Sequence, residues 1–482
     1  MQTILTQEPR AVWRYFTEIS AIPHGSGNTA RLADYCAAFA RQHRLAHRLD
    51  AAGNVVIFKD AAPGYENAPP LLLQGHLDMV CAKESDTAFD FETDALRLQV
   101  QGDYLSAEGT SLGGDDGIAV ACILAILAAE DLPHPALEVV LTADEETGMD
   151  GAAALDVSDL RSRRMLNLDS EEEGVFLAGC AGGVRVETHL PVVRTGITGV
   201  TCTLTLSGLT GGHSGIEIHK NRANANREMG VLLHAAGETV PMHLLSLNGG
   251  EKDNAIAREC TAQLLLDEQD IPALTAIVQQ AETALRETYA ATDPQLRLAL
   301  EQNGVRTAVA LSATDTRRIA ALLAALPNGV QAMNPALPTQ VETSLNFGRM
   351  YLSETELTLH HALRSSDTAA KQALSQRLET LAAAFGGSCT RSGDYPAWEY
   401  RADSPLREQL CRVYQELTGK IPTVAVIHAG LECGLFAEKL PELDCVSLGP
   451  DMEGVHTPQE RLSISTVQRT WALLCAFLRQ YH

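Results

Sequence analysis

A chain of 482 residues, 45% hydrophobic and 20% charged, is longer than one hydrophobic core usually supports, so two or more domains are expected. Its formal net charge of −24 repels phosphate backbones and anionic bilayers, which argues against nucleic-acid and membrane partners. The N-terminal MQTILTQEPRAVWRYF has no basic-then-apolar secretory pattern, the longest apolar run (118–129) is too short for a span, and the eleven cysteines never adopt Cys-x-x-Cys spacing, which suits the reducing cytoplasm.

The first third alternates short apolar runs with helical spacing, as α/β sheets do. Residues 8–20 and 29–46 have helical periodicity, and Pro70-Leu-Leu-Leu-Gln-Gly-His-Leu-Asp is a buried strand with a polar tip. A Gly-rich turn over 113–117 opens a buried helix at 118–130. Leu137–Thr142 and 165–169 supply two more buried strands. Beyond residue 187 the texture changes. Strict alternation over 200–206 predicts a strand exposed on one face, followed by helices near 220–236, 271–290 and 367–385 and strands at 341–346 and 356–363. From about residue 393 the α/β texture returns, with a helix at 404–418, strands at 424–427 and 445–448, and a final helix at 464–478. The expected architecture is a discontinuous α/β catalytic domain, residues 1–186 and 393–482. Its mixed sheet is flanked by helices, and an α+β domain over 187–392 is inserted into it.

Chemistry concentrates at the polar tips of strand-like runs. These are His76-Leu-Asp78, Gly114-Asp115-Asp116-Gly117, Asp144-Glu145-Glu146-Thr-Gly148, Asn167-Leu-Asp169 and Gly454-Val-His456-Thr-Pro458. Each alone reads as a turn or a solvated face. Together they can converge on one rim of a sheet, where ligands bind in open α/β folds. Imidazoles and carboxylates without thiolates suit a divalent ion, with Zn2+ first and Mn2+ or Co2+ as alternatives. If two ions bind, one carboxylate must bridge them and a shared water becomes acidic. A carboxylate free of metal must then take the water's proton. Adjacent Glu145 and Glu146 offer one group for each task, and Asp78 is placed to orient His76. Spacing alone leaves the number of ions open.

The ordered segments HLDMV, GTSLGGDDG, TADEETG, NLDSEEEG, GGHSG, HAGLECG and GVHTP resemble the co-catalytic zinc peptidases, a family that includes carnosinases, acetylornithine deacetylase and aminotripeptidase. The resemblance covers nearly the whole chain. It implies two divalent metal ions, with His76 and Asp169 on one, Glu146 and His456 on the other, and Asp115 bridging both. Glu145 would be the general base, Asp78 would steady His76, and the Asp115–Asp116 peptide would be cis. Asp116 stands where relatives often carry Asn, and its charge could alter the pH response of the site. The inserted domain would be a lid and dimerisation domain, with a homodimer implied. Its His213 would approach the substrate carbonyl. A histidine between glycines, read alone, is a turn residue, and His219 is the fallback. Asn254 and Arg364 would hold the substrate's C-terminal carboxylate, and Gly430 would let backbone approach the substrate. His428 and Glu432 read as supporting groups, with contact between Glu432 and the substrate's amine as the other reading.

The activity so implied is hydrolysis of unblocked dipeptides, including Xaa-His compounds such as carnosine, by a metal-bridging hydroxide. The same centre would also serve an N-acyl amino acid deacylase, and a relative that binds metal without catalysis would share the fold.

Overall fold

The computed structural model describes residues 4–481. The chain forms two compact units. One takes the chain up to Cys180, Trp398–Val426, and the chain from Leu431 onward; the other takes Ala181–Ala397 and Ile427–Gly430.

The first unit is built on an eight-stranded mixed sheet. At its centre Leu71–His76 lies parallel to Leu137–Thr142 on one side and to Arg164–Asn167 on the other. Asp444–Ser447 extends this parallel set beyond Arg164–Asn167. Leu71–His76, Leu137–Thr142 and Asp444–Ser447 are buried at every position, as expected when helices cover both faces of a parallel sheet. Antiparallel strands flank this set, with Val55–Lys59 and Ala46–Leu49 towards one edge and Val175–Cys180 towards the other, where Thr423–Ile427 is the outermost strand. The Ala46–Leu49 strand shortens the helix expected over 29–46, which ends at Gln42.

Helix Gly114–Ala128 is apolar on all sides beyond its first turn and buried from Gly114 to Leu127. It belongs to one large core with Trp13, Phe16, Ile57, Leu73, Phe176 and Phe477. Its first residues are not yet helical: Asp115 has φ −84° and ψ 106°, and the Asp115–Asp116 peptide is cis. Gly75 is required where it stands, because a Cβ there would lie 2.7 Å from Asp116 Oδ2 and 2.9 Å from the Ala119 Cβ. A separate four-stranded sheet joins Leu98–Gln101, Tyr104–Ala107, Arg461–Ser463 and Met452–Glu453. The sequence pattern did not show it.

The second unit is a nine-stranded sheet whose pairings are antiparallel. Helices Ala225–Gly237, Ile271–Thr288, Ala313–Ala325 and Thr368–Ala384 contribute apolar side chains to its core, among them Leu233, Leu274, Leu323 and Leu378. The helix expected from 220 starts at Ala225, where Asn224 caps it by accepting from the amides of Asn226 and Arg227.

Candidate metal centre and the groups around it

The carboxyl ends of the central strands bring the predicted residues together. His76 closes its own strand, the Glu145 turn follows Thr142, and Asp169 lies two residues beyond Asn167. Asp115 enters from the start of the buried helix, and His456 lies on the loop between Met452–Glu453 and Arg461–Ser463.

Asp115 divides its two oxygens between the histidines: Oδ1 is 3.0 Å from His76 Nε2 and Oδ2 is 3.2 Å from His456 Nε2. His76 Nε2 is also 3.7 Å from Asp169 Oδ1, and His456 Nε2 is 2.9 Å from Glu146 Oε1. Three overlapping sets can therefore each hold a cation: His76 with Asp116 and Asp169, His76 with Glu145 and Glu146, and Asp115 with Glu146 and His456.

The electrostatics express the same crowding. Burial and the neighbouring Asp116 push the Asp169 carboxyl well above its ordinary range. Glu145 is raised to about 8, by burial first and then by Glu432, Glu146 and Asp115, with His76 opposing. Burial would likewise raise Asp115, but His456 and His76 outweigh it and hold that carboxyl low. His456 is raised to about 10 by Asp115 and Glu146. Burial would lower His76, yet Asp115 and Asp78 lift it well above the usual imidazole value. Desolvated carboxylates crowded around two imidazoles call for cationic charge, and a nitrogen–oxygen donor set without sulfur fits a divalent metal such as zinc or manganese.

Asp78 does more than the sequence suggested. The His76 Nδ1–H points chiefly at the Asp78 backbone oxygen, 3.0 Å away, and the Asp78 carboxylate is farther, at 3.4 Å. That carboxylate instead accepts from the Glu145 amide (2.9 Å), the Glu146 amide (3.2 Å) and the Ser26 hydroxyl (2.8 Å). It thereby fixes the turn that presents both glutamates. Ser26 has no motif that would have singled it out.

Asp116 is fully buried. Its Oδ2 accepts the His76 amide at 3.1 Å, and its Oδ1 has no hydrogen-bond partner. Burial first, then the Asp115 charge, raises its carboxyl well above the ordinary value. Glu432 is also fully buried. It accepts from Thr142 Oγ1 at 2.6 Å and from the Gln74 side-chain amide, which ties it to two strands of the sheet.

The remaining predicted residues lie in the second unit. The backbone of His213 bridges that of Ala255, and the Ser214 amide donates to the Asn254 carbonyl at 2.9 Å, so His213 and exposed Asn254 share one loop pair. His213 Nδ1 accepts from the amides of Gly215 (3.2 Å) and Ile216 (3.3 Å). In the neutral ring the proton therefore sits on Nε2. Burial and the nearby Arg364 lower the His213 pKa. Arg364 donates from Nη1 to the Tyr395 hydroxyl at 2.9 Å. A Cβ on Gly215 would meet the His428 carbonyl at 2.6 Å, His213 Cε1 at 3.0 Å and Arg364 Nε at 3.2 Å. These three residues thus converge on one glycine. Gly430 ends the short 427–430 segment of this unit. His219 is exposed and lies in a short 3-10 turn.

His76 at a strand end of the mixed α/β sheet, His456 on a loop and the carboxylates between them form a candidate centre of the metallohydrolase type. The model of Peptidase family M20/M25/M40 matches residues 72–480, and the chain belongs to that family. It is 37% identical to the cytosol non-specific dipeptidase of Escherichia coli (strain K12) over 482 residues, which cover 100% of this chain and 99% of the relative. The crystal structure of aminoacylhistidine dipeptidase from Vibrio alginolyticus matches with a TM-score of 0.94 and 36% identity, covering 100% of this chain and 98% of that one. Aminopeptidase PepT from Bacillus cereus ATCC 10987 matches with a TM-score of 0.57 and 14% identity over 98% of each chain, a likeness of fold.

Proposed function

We propose that this chain is a metal-dependent dipeptidase that hydrolyses the peptide bond of unblocked dipeptides, aminoacyl-histidine compounds such as carnosine among them. The observation that carries the reading is Asp115, one carboxylate whose two oxygens face two histidines, each flanked by a further carboxylate. His76 and Asp169 would hold one divalent ion, Glu146 and His456 the other, and Asp115 both. Zn2+ suits this donor set, with Co2+ or Mn2+ as alternatives. Bound there, the ions supply Lewis acidity to the scissile carbonyl and to a water.

The chain's own groups do the rest. Glu145 accepts the proton of the attacking water and returns it to the leaving amine, the task left to a carboxylate that holds no metal. Asp78 holds the Glu145 backbone during both transfers. His213 donates its Nε2–H to the developing oxyanion, Arg364 and Asn254 bind the C-terminal carboxylate, and the Gly430 backbone approaches the substrate. Arginine suits a carboxylate because its planar fork binds both oxygens. Residues 187–392 act as the lid and dimerisation domain of a homodimer. All eleven cysteines are free, which suits a cytoplasmic enzyme. Among the described residues no helix is long and apolar enough to cross a membrane.

Turnover of a matched panel of free and N-acetylated dipeptides tests this. Hydrolysis of the free series alone is expected. Turnover of the acetylated series alone would make the chain a deacylase, and turnover of neither would remove the enzymatic reading.

A further inference from the structure

Glu460 has no place in the chemistry above, yet it is only 3% exposed and sits four residues after His456. Its carboxylate is surrounded by backbone amides. Oε2 accepts from Leu112 (2.8 Å) and Gly113 (3.2 Å), and Oε1 accepts from Gly114 (2.7 Å) and Asp115 (3.4 Å). Consecutive amides turned to one side form a nest for an anion, and here the anion is the protein's own side chain.

The local sequence allows the backbone to close this tightly. Gly113 has φ +65°, a region that favours glycine. A Cβ on Gly114 would lie 3.2 Å from Glu460 Oε1 and 3.3 Å from Met452 Sδ. The turn on the other side is equally tied. The Thr457 amide and hydroxyl both donate to the Gly454 carbonyl (3.1 and 2.6 Å), and the Glu460 amide donates to the Thr457 carbonyl at 3.1 Å. Pairing of Met452–Glu453 with Arg461–Ser463 anchors both ends of that turn.

One short turn therefore carries His456 and, at its far end, the group that grips the backbone of Asp115. We infer that Glu460 is a positioning residue: by clamping Leu112–Asp115 it holds the Asp115 carboxylate at the spacing from His456 that lets one side chain serve two metal ions. A glutamine could not replace it, because an amide presents a single acceptor oxygen and turns its NH2 towards amides that also donate. Groups that orient metal ligands typically change metal affinity or activity by about 10–100-fold when removed.

The inference rests on the metal-site reading, so the test separates the two. On the full chain, Zn2+ affinity is measured by competition with a chromophoric chelator. Hydrogen exchange of the Leu112–Asp115 amides is followed in metal-free protein, and kcat and KM are determined on a free dipeptide. In Glu460→Gln the weaker Zn2+ site is expected to lose about 10–100-fold in affinity, the four amides to exchange faster, and kcat to fall with KM unchanged. Gly114→Ala, which pushes on the carboxylate without deleting it, is expected to show the same pattern in milder form, and it decides the matter if Glu460→Gln does not fold. A folded variant with wild-type Zn2+ affinity and wild-type exchange at these amides would overturn the clamp. A wild-type chain that binds no Zn2+, Mn2+ or Co2+ would instead overturn the metal-site reading, and the proposal with it.

Discussion

Replacing Asp78 with Asn tests how Glu145, the proposed general base, is held. The Asp78 carboxylate is buried and accepts three hydrogen bonds, from Glu145 N, Glu146 N and Ser26 Oγ. An asparagine that keeps its oxygen on Glu145 N places its NH2 against Ser26 Oγ and Glu146 N. The serine hydroxyl can rotate and accept, whereas the Glu146 amide can only donate and is left unpaired. The loss is then about one hydrogen bond to a charged acceptor, about 1.5–3 kcal/mol. At about 2–4 °C per kcal/mol for a domain of this size, the melting temperature of the metal-free protein should fall by roughly 3–12 °C. The freed turn carries Glu145, and misplacement of a catalytic group by about 1 Å costs on the order of 10² in rate. Calorimetry and steady-state kinetics should therefore show a lower melting temperature, a kcat down on the order of 100-fold, an unchanged KM and an unchanged metal content. A variant with wild-type melting and wild-type kcat would refute the assignment of this carboxylate to the Glu145–Glu146 turn.

Glu145→Gln should lower kcat by about 10²–10⁴-fold with metal content intact; retention of about a tenth of the wild-type rate, a loss smaller than that range, would remove Glu145 as the proton carrier. His213→Ala should cost about 10²–10³ in kcat. Because the His213 pKa is lowered, no rate change assignable to its ionisation should appear above neutrality; an alkaline loss that disappears in the variant would contradict the neutral Nε2–H donor. Asp116→Asn keeps an acceptor for the His76 amide and replaces an unpartnered oxygen, so metal content and kcat should stay within about threefold, a change of under 1 kcal/mol. Loss of one metal equivalent would show that the Asp116 carboxylate is a ligand. Buried His361 has its pKa lowered to about 4, chiefly by burial, while the unfolded chain titrates near the ordinary 6.5. Its contribution to stability is therefore complete above pH 6.5 and is lost as pH falls towards 4, by about 1.4 kcal/mol per unit. His361→Phe, which preserves stacking on Phe347, should melt about 2 kcal/mol more stably than wild type at pH 5 relative to pH 7.5; equal acid sensitivity of the two proteins would refute this.

His76, Glu145, Glu146 and Asp169 were legible because they lie at or just beyond the ends of largely buried central strands, so their convergence follows from sheet topology. His76, Thr142 and Asn167 end adjacent parallel strands, and the groups beyond them have one rim on which to meet. The second unit was harder to read. Strand Arg297–Leu311 is exposed over most of its middle, so apolar alternation there is weak. The Ala225–Gly237 helix begins later than its periodicity suggests because the Asn224 side chain stops it. Glu460 and the real load on Asp78 were hidden for a different reason. Their partners are largely backbone amides, which every residue but proline carries and no motif records. The His213 tautomer was hidden in the same way, since it is set by two amides of the following turn.

Asp115, flanked by His76 and His456, is proposed to organise a metal centre that cleaves free dipeptides. Stepwise return of Zn2+ to chelator-treated protein, with metal content and dipeptide hydrolysis read on the same samples, tests it most directly. The metal-free chain should be inactive and recover as about two ions bind per chain, and an Asp115→Ala variant should bind weakly and not recover. Full hydrolysis by the metal-free chain, or full recovery by Asp115→Ala, would contradict it.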